Sequence, residues 1–141
     1  MKGVSMSFKD SIKKELQDRI DRKNQNRLRN KTVTIISSNC TGGFLYHWLG
    51  LQFKSPFINL YMTPDDFIVA MEHFEEFIAF PVTEKKDANL GYPVGIGAFN
   101  TLIHFMHYAT FEDAIEKWNE RKKRINTENM CILLSNWGGI T

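Results

Sequence analysis

Residues 32–43 read Thr-Val-Thr-Ile-Ile-Ser-Ser-Asn-Cys-Thr-Gly-Gly. The apolar part, Val33, Ile35 and Ile36, is short and β-branched, which suits a strand covered on both faces. Ser37, Ser38, Asn39, Cys40 and Thr41 then place small polar side chains at the strand's carboxyl end. In open α/β sheets that end is where ligands bind. Gly42 and Gly43 are read as positions that allow positive φ and let a ligand approach the backbone. The stretch therefore predicts both a fold class and the place of a site.

Working outward, the 141 residues are read as one α/β domain behind a separate N-terminal helix. The expected fold is a mostly parallel sheet of about four strands with flanking helices, a truncated Rossmann-like layer fold over 32–141. Hydrophobic residues make up 43% of the chain and include eleven Phe, enough to bury a core. Residues 7–29 form a polar helix with a narrow stripe of Phe8, Ile12, Leu16, Ile20 and Leu28. Residues 1–31 carry a net charge of +6 and the remainder −4. The basic segment is read as a solvated helix or a docking surface for a protein partner.

Further along, strands are expected at 56–61, 98–108 and 130–134. A helix starts after Thr63, with Pro64 at its first position and Asp65 and Asp66 in its first turn. Its buried face is Phe67, Ala70, Met71, Phe74 and Ile78. Thr83 to Asn89 reads as a charged loop, and 92–97 as a turn-rich approach to the third strand. Thr110 with Asp113 marks the start of the last helix. The chain then reads Ser135-Asn136-Trp137-Gly138-Gly139, echoing 38–43 after another apolar strand. A βα unit normally continues into a helix, so a stop here reads as a truncated copy. Loop composition also accounts for the echo without a shared site.

Cys40 and Cys131 give no disulfide framework or zinc spacing and suit a reducing compartment, so the chain is placed in the cytoplasm. There is no signal-peptide pattern, and the best apolar run, Phe67 to Phe80, is interrupted by Glu72, Glu75 and Glu76. No P-loop or dinucleotide fingerprint is present, and the spacing of Gly91, Gly95 and Gly97 is wrong for one.

The candidate chemistry starts with Cys40, a strand-end thiol that a helix N-terminus would activate as a nucleophile. The competing reading is a small buried apolar residue. His104 and His107, three apart on a strand, point to opposite faces, so His107 is taken as the acid/base candidate. Ser38, Asn39, Thr41, Gly42, Gly43 and Tyr108 are the candidate ligand contacts. Arg121 and Arg124 share a helix face with Lys117 and are candidate anion binders; a solvated, paired face explains them as well. Asp65 and Asp66 need no metal, because a helix's first turn favours them.

Ser38-Asn39-Cys40-Thr41-Gly42-Gly43, Leu49-Gly50-Leu51, Ser55-Pro56-Phe57, Asp66-Phe67, Tyr92-Pro93-Val94-Gly95 and His107-Tyr108 occur in this order. Lys117-Trp118 follows, with Arg121, Arg124, Ile125 and Asn126. Over roughly 32–130 this set resembles an uncharacterised bacterial domain family found in capsule and exopolysaccharide biosynthesis loci. The chain departs from that pattern at Thr41, where the family has an aromatic, and the family has more chain beyond the fourth strand. The resemblance implies an α/β fold and a role in surface-polysaccharide production. The expectation is thus a transferase-like protein, moving a glycosyl or acyl group from a sugar nucleotide or acyl donor to a small-molecule or glycan substrate. No resident cofactor is indicated. The alternatives are a non-catalytic binding or assembly module of the same pathway and, ranked last, a nucleic-acid binder.

Overall fold

In a computed structural model, which describes residues 7–86 and 90–136, the opening strand is β1 (Thr34–Ser37), and all four residues are buried. It pairs in parallel with β5 (Met130–Leu133), Thr34 opposite Met130 and Ser37 opposite Leu133. Side chains alternate across this pair. Val33 and Ile35 join Tyr46 and Ile58 on one face, with Leu133 packed alongside. Ile36 joins the larger core on the other face, with Met130 against it.

The first face is covered by α2 (Thr41–Leu49), which begins where β1 turns out of the sheet. A Cβ on Gly42 would sit 3.1 Å from Ser37 Cβ and 3.6 Å from Ile35 Cγ2. The glycine therefore lets the helix close down on the strand. This corrects the reading of Gly42 and Gly43 as left-handed turn positions: both lie in the first turn of α2, and among the described residues the glycine with positive φ is Gly50, at its carboxyl end. Tyr46 reaches from α2 to the outer edge of β1. Its hydroxyl accepts from Ile35 N at 2.7 Å and donates to Val33 O at 3.1 Å.

The second face is covered by α3 (Pro64–Glu72), α4 (Phe74–Ala79) and α5 (Phe111–Lys122). Thr63 and Thr110 cap α3 and α5 as their sequences predict, accepting from Asp66 N and Asp113 N. The single helix expected through Ile78 is broken at His73, whose φ of −123° and ψ of 46° leave the helical region. Phe77, left out of the expected buried face, lies in the core. The centre of that core is Trp118, whose ring lies 5.4 Å from Phe57, 6.0 Å from Phe77 and 6.2 Å from Phe105.

The class is α/β, but the strands are not one mostly parallel sheet. β2 (Thr83–Glu84), β3 (Val94–Ile96) and β4 (Leu102–His104) form a separate antiparallel sheet in that order. The expected strand over 98–108 shrinks to β4, because ahead of it Phe99 and Asn100 take φ of 57° and 58°, and Thr101 Oγ1 donates to Ala98 O at 2.7 Å. A tight hairpin results, and β3 arises inside the supposed turn-rich approach. Residues 56–61 also fail as a strand: Asn59 has φ of 57°, and only Tyr61 makes a bridge, to His104. β2 opens the segment read as a charged loop; its end, 87–89, lies outside the described residues. The N-terminal helix is α1 (Phe8–Arg27), tied to α2 by Asn24 Nδ2 donating to Trp48 O and Gln25 Nε2 to Gly50 O.

Candidate ligand-binding crevice

The loop after β1 is fixed by its own side chains. Asn39 Oδ1 accepts from Thr41 N at 2.9 Å and from Ser37 Oγ at 3.1 Å. That holds the carboxamide in one orientation and leaves its Nδ2 buried, without a hydrogen-bond partner among the described residues. Ser38 is tied to the loop after β5: its N donates to Leu133 O, and its Oγ accepts from Ser135 N at 3.1 Å. The two Ser-Asn loops are therefore neighbours; Trp137 to Gly139 lie outside the described residues.

Beyond this loop a cavity of about 440 Å³ is lined by Asn39, Cys40, Thr41, Phe44, Tyr61, Tyr92, Met106 and His107. Three chain regions distant in sequence meet here: the α2 amino end, the Tyr61 bridge and the two flanks of the β3–β4 hairpin. A second groove of about 460 Å³ between α4 and the end of α5 holds no histidine, cysteine or aromatic hydroxyl. The first is therefore the better place for chemistry.

Of the residues singled out from sequence, the fold brings Asn39, Cys40, Thr41 and His107 together at this cavity. His107 stands exposed at its edge. Ser38, Gly42 and Gly43 lie behind it as packing and loop-fixing residues. Tyr108, Arg121 and Arg124 point elsewhere. Tyr108 donates to Ile58 O and accepts from Arg121 Nη1 at 2.9 Å. Arg121 also lies over the Phe53 ring, and Arg124 donates to Phe53 O at 3.0 Å and to Glu120 at 2.8 Å. These two guanidinium groups brace the 53–58 segment.

Burial pushes the Cys40 thiol above its ordinary range, outweighing a hydrogen bond to its own backbone. A half-buried thiol of that kind stays protonated near neutral pH, which opposes a nucleophilic role. His104, set aside in the sequence reading, proves to support the crevice. Its Nδ1 lies 3.3 Å from the Tyr92 hydroxyl, and its ring packs against Tyr61 and Tyr92. Burial lowers its pKa, opposed more weakly by the Asp66 carboxylate. The neutral ring can then accept from Tyr92 and hold that phenol at the cavity. Tyr92 was visible in sequence as part of the ordered Tyr-Pro-Val-Gly motif; Tyr61 and His104 carried no local signal.

A histidine with a lowered folded pKa binds its proton more readily in the unfolded chain. Its stabilising effect is complete above about pH 6.5 and declines as pH falls through that value toward the folded pKa. Urea midpoints measured from pH 7.5 to 5 should fall toward acid, and His104→Gln should flatten part of that fall. His104 is half-exposed, so the slope should stay well below the full one-proton value of about 1.4 kcal/mol per pH unit.

Comparison with known proteins places the chain. The model of a family described as a domain of unknown function, DUF1919, matches residues 11–141. The chain belongs to that family. Another similar protein is an uncharacterised protein of Haemophilus influenzae, 37% identical over 134 residues. The match covers 95% of this chain and 64% of the Haemophilus protein, so the chain spans just under two-thirds of that relative's length. Among the described residues no helix is long and apolar enough to cross a membrane.

Proposed function

We propose that the crevice binds a sugar-type ligand and that the chain acts in bacterial surface-polysaccharide biosynthesis, as a transferase-like protein. The observation that carries the ligand class is the lining: aromatic rings of Phe44, Tyr61 and Tyr92 around the polar groups of Asn39, Thr41 and His107. A pyranose has apolar C–H faces and a rim of hydroxyls. Aromatic faces suit the first, and a few fixed donors and acceptors suit the second. The pathway rests on the resemblance of the ordered motifs alone. In this reading His107 is the acid/base candidate, at the edge of the cavity where an acceptor hydroxyl would arrive.

The second reading, a binding module of the same pathway without catalysis, draws support from Cys40. Its raised pKa counts against one of the two catalytic candidates.

The test is a thermal-shift and calorimetric screen of nucleotide sugars, acyl donors and plain nucleotides. A nucleotide sugar is expected to stabilise the chain, by RT ln(1 + [L]/Kd). Tyr92→Ala and Asn39→Ala should each weaken that binding about tenfold or more while keeping the circular dichroism of the parent. Binding that survives both changes would place the ligand elsewhere. Binding that depends on them, with no group transfer and no effect of His107→Ala, would favour the module.

A further inference from the structure

Among the described residues the parallel pair β1–β5 has one sealed edge and one open edge. On the outer side of β1 the Tyr46 hydroxyl occupies Ile35 N and Val33 O. On β5, the bonds from Thr34 N to Asn129 O and from Ser38 N to Leu133 O turn the odd-numbered residues toward β1. The backbone groups of Met130, Ile132 and Leu134 therefore point away from the pair. β5 is the outer strand of a two-stranded sheet.

The side chains along that edge are apolar and uncovered. Ile132 is 49% and Leu134 51% exposed, and beside them α3 presents Ile68 at 41%. Phe67, Ile68, Met71, Ile132 and Leu134 line a shallow cavity whose only charged neighbour is Glu72. Edge strands are usually blunted by a charge, a proline or a bulge. Met130-Cys131-Ile132-Leu133 has no charge and no proline. Parallel sheets also run wider than two strands.

We infer that the β5 edge is built to receive a further strand, whose alternate apolar side chains would sit on Ile68, Met71 and Ile132. A longer relative can supply that strand from the part outside the match. The Haemophilus protein has length to supply it, since the match covers only 64% of it. With β1 closed by Tyr46, β5 is the side on which this sheet can grow.

The test is hydrogen–deuterium exchange on the full 141-residue chain and on the full-length Haemophilus protein, with sedimentation velocity on each. In the present chain the amides of Met130, Ile132 and Leu134 should exchange about a hundredfold faster than those of Cys131 and Leu133. At the aligned strand of the longer protein, outward and inward amides should be protected alike. Fast outward exchange in both proteins would overturn the inference. So would outward protection in the present chain accompanied by dimerisation, which would assign the edge to a second copy. Ile132→Lys should leave the urea midpoint of this chain unchanged, and the aligned substitution should lower that of the longer protein; equal effects in both would also overturn it.

Discussion

Trp118→Ala should lower the unfolding free energy by about 4 kcal/mol, near the top of what one core truncation does. The indole is fully enclosed, and Phe57, Phe77 and Phe105 close around it. These rings come from an irregular segment, from α4 and from the residue after β4, so the hole would open where three parts of the fold meet. A domain of this size has only about 5–15 kcal/mol in all, so the variant should lose a large share of its stability. Trp118→Phe separates two contributions. Its Nε1 is buried and has no acceptor among the described residues. Phenylalanine keeps a ring in place and removes that orphaned donor, so its cost should stay under about 2 kcal/mol. Urea unfolding followed by far-ultraviolet circular dichroism reads both. Equal losses for the two variants would mean that the indole nitrogen is satisfied in solution.

The second large effect is expected from a single oxygen. Tyr46→Phe should cost about 3 kcal/mol although it leaves no cavity, because it strands a buried donor and a buried acceptor together. Ile35 N and Val33 O both turn to the Tyr46 hydroxyl, and neither has water to fall back on. Burial also raises the phenol pKa, so the neutral hydroxyl that makes both bonds persists well into alkaline conditions. A loss below about 0.5 kcal/mol would show that the β1 edge finds other partners.

How much of this could be read in advance depends on how local its cause is. β1, β5 and the Thr63 and Thr110 caps follow from short apolar runs and cap chemistry within a few residues. The residues at 39–41 and His107 reach one cavity, but not through parallel strand ends: His107 follows β4 of the separate antiparallel sheet. What failed was set by contacts across the chain. The hairpin at 98–101 needs positive φ at Phe99 and Asn100, a conformation that no propensity assigns to a phenylalanine. Gly42 looked like a turn residue and is a packing residue, a distinction that only the nearness of Ser37 reveals. Arg121 and Arg124 looked like anion binders by their spacing. Glu120, four residues before Arg124, was a partner visible in sequence; Phe53 and Tyr108 lie farther off and carried no such signal.

The register of the parallel pair also sets an order in time. Thr34 meets Met130, so β1 cannot find its partner until nearly the whole described chain has been made. Pairings so distant in sequence form late, after local helices and hairpins. During synthesis the β3–β4 hairpin and the capped helices can form first, while β1 waits with its hydrophobic side chains unpaired. The loop at Asn39 is held from behind by Ser135, so the crevice takes its final shape only at the end of folding. Whatever holds the nascent chain in that interval must shelter Val33, Ile35 and Ile36 until β5 arrives.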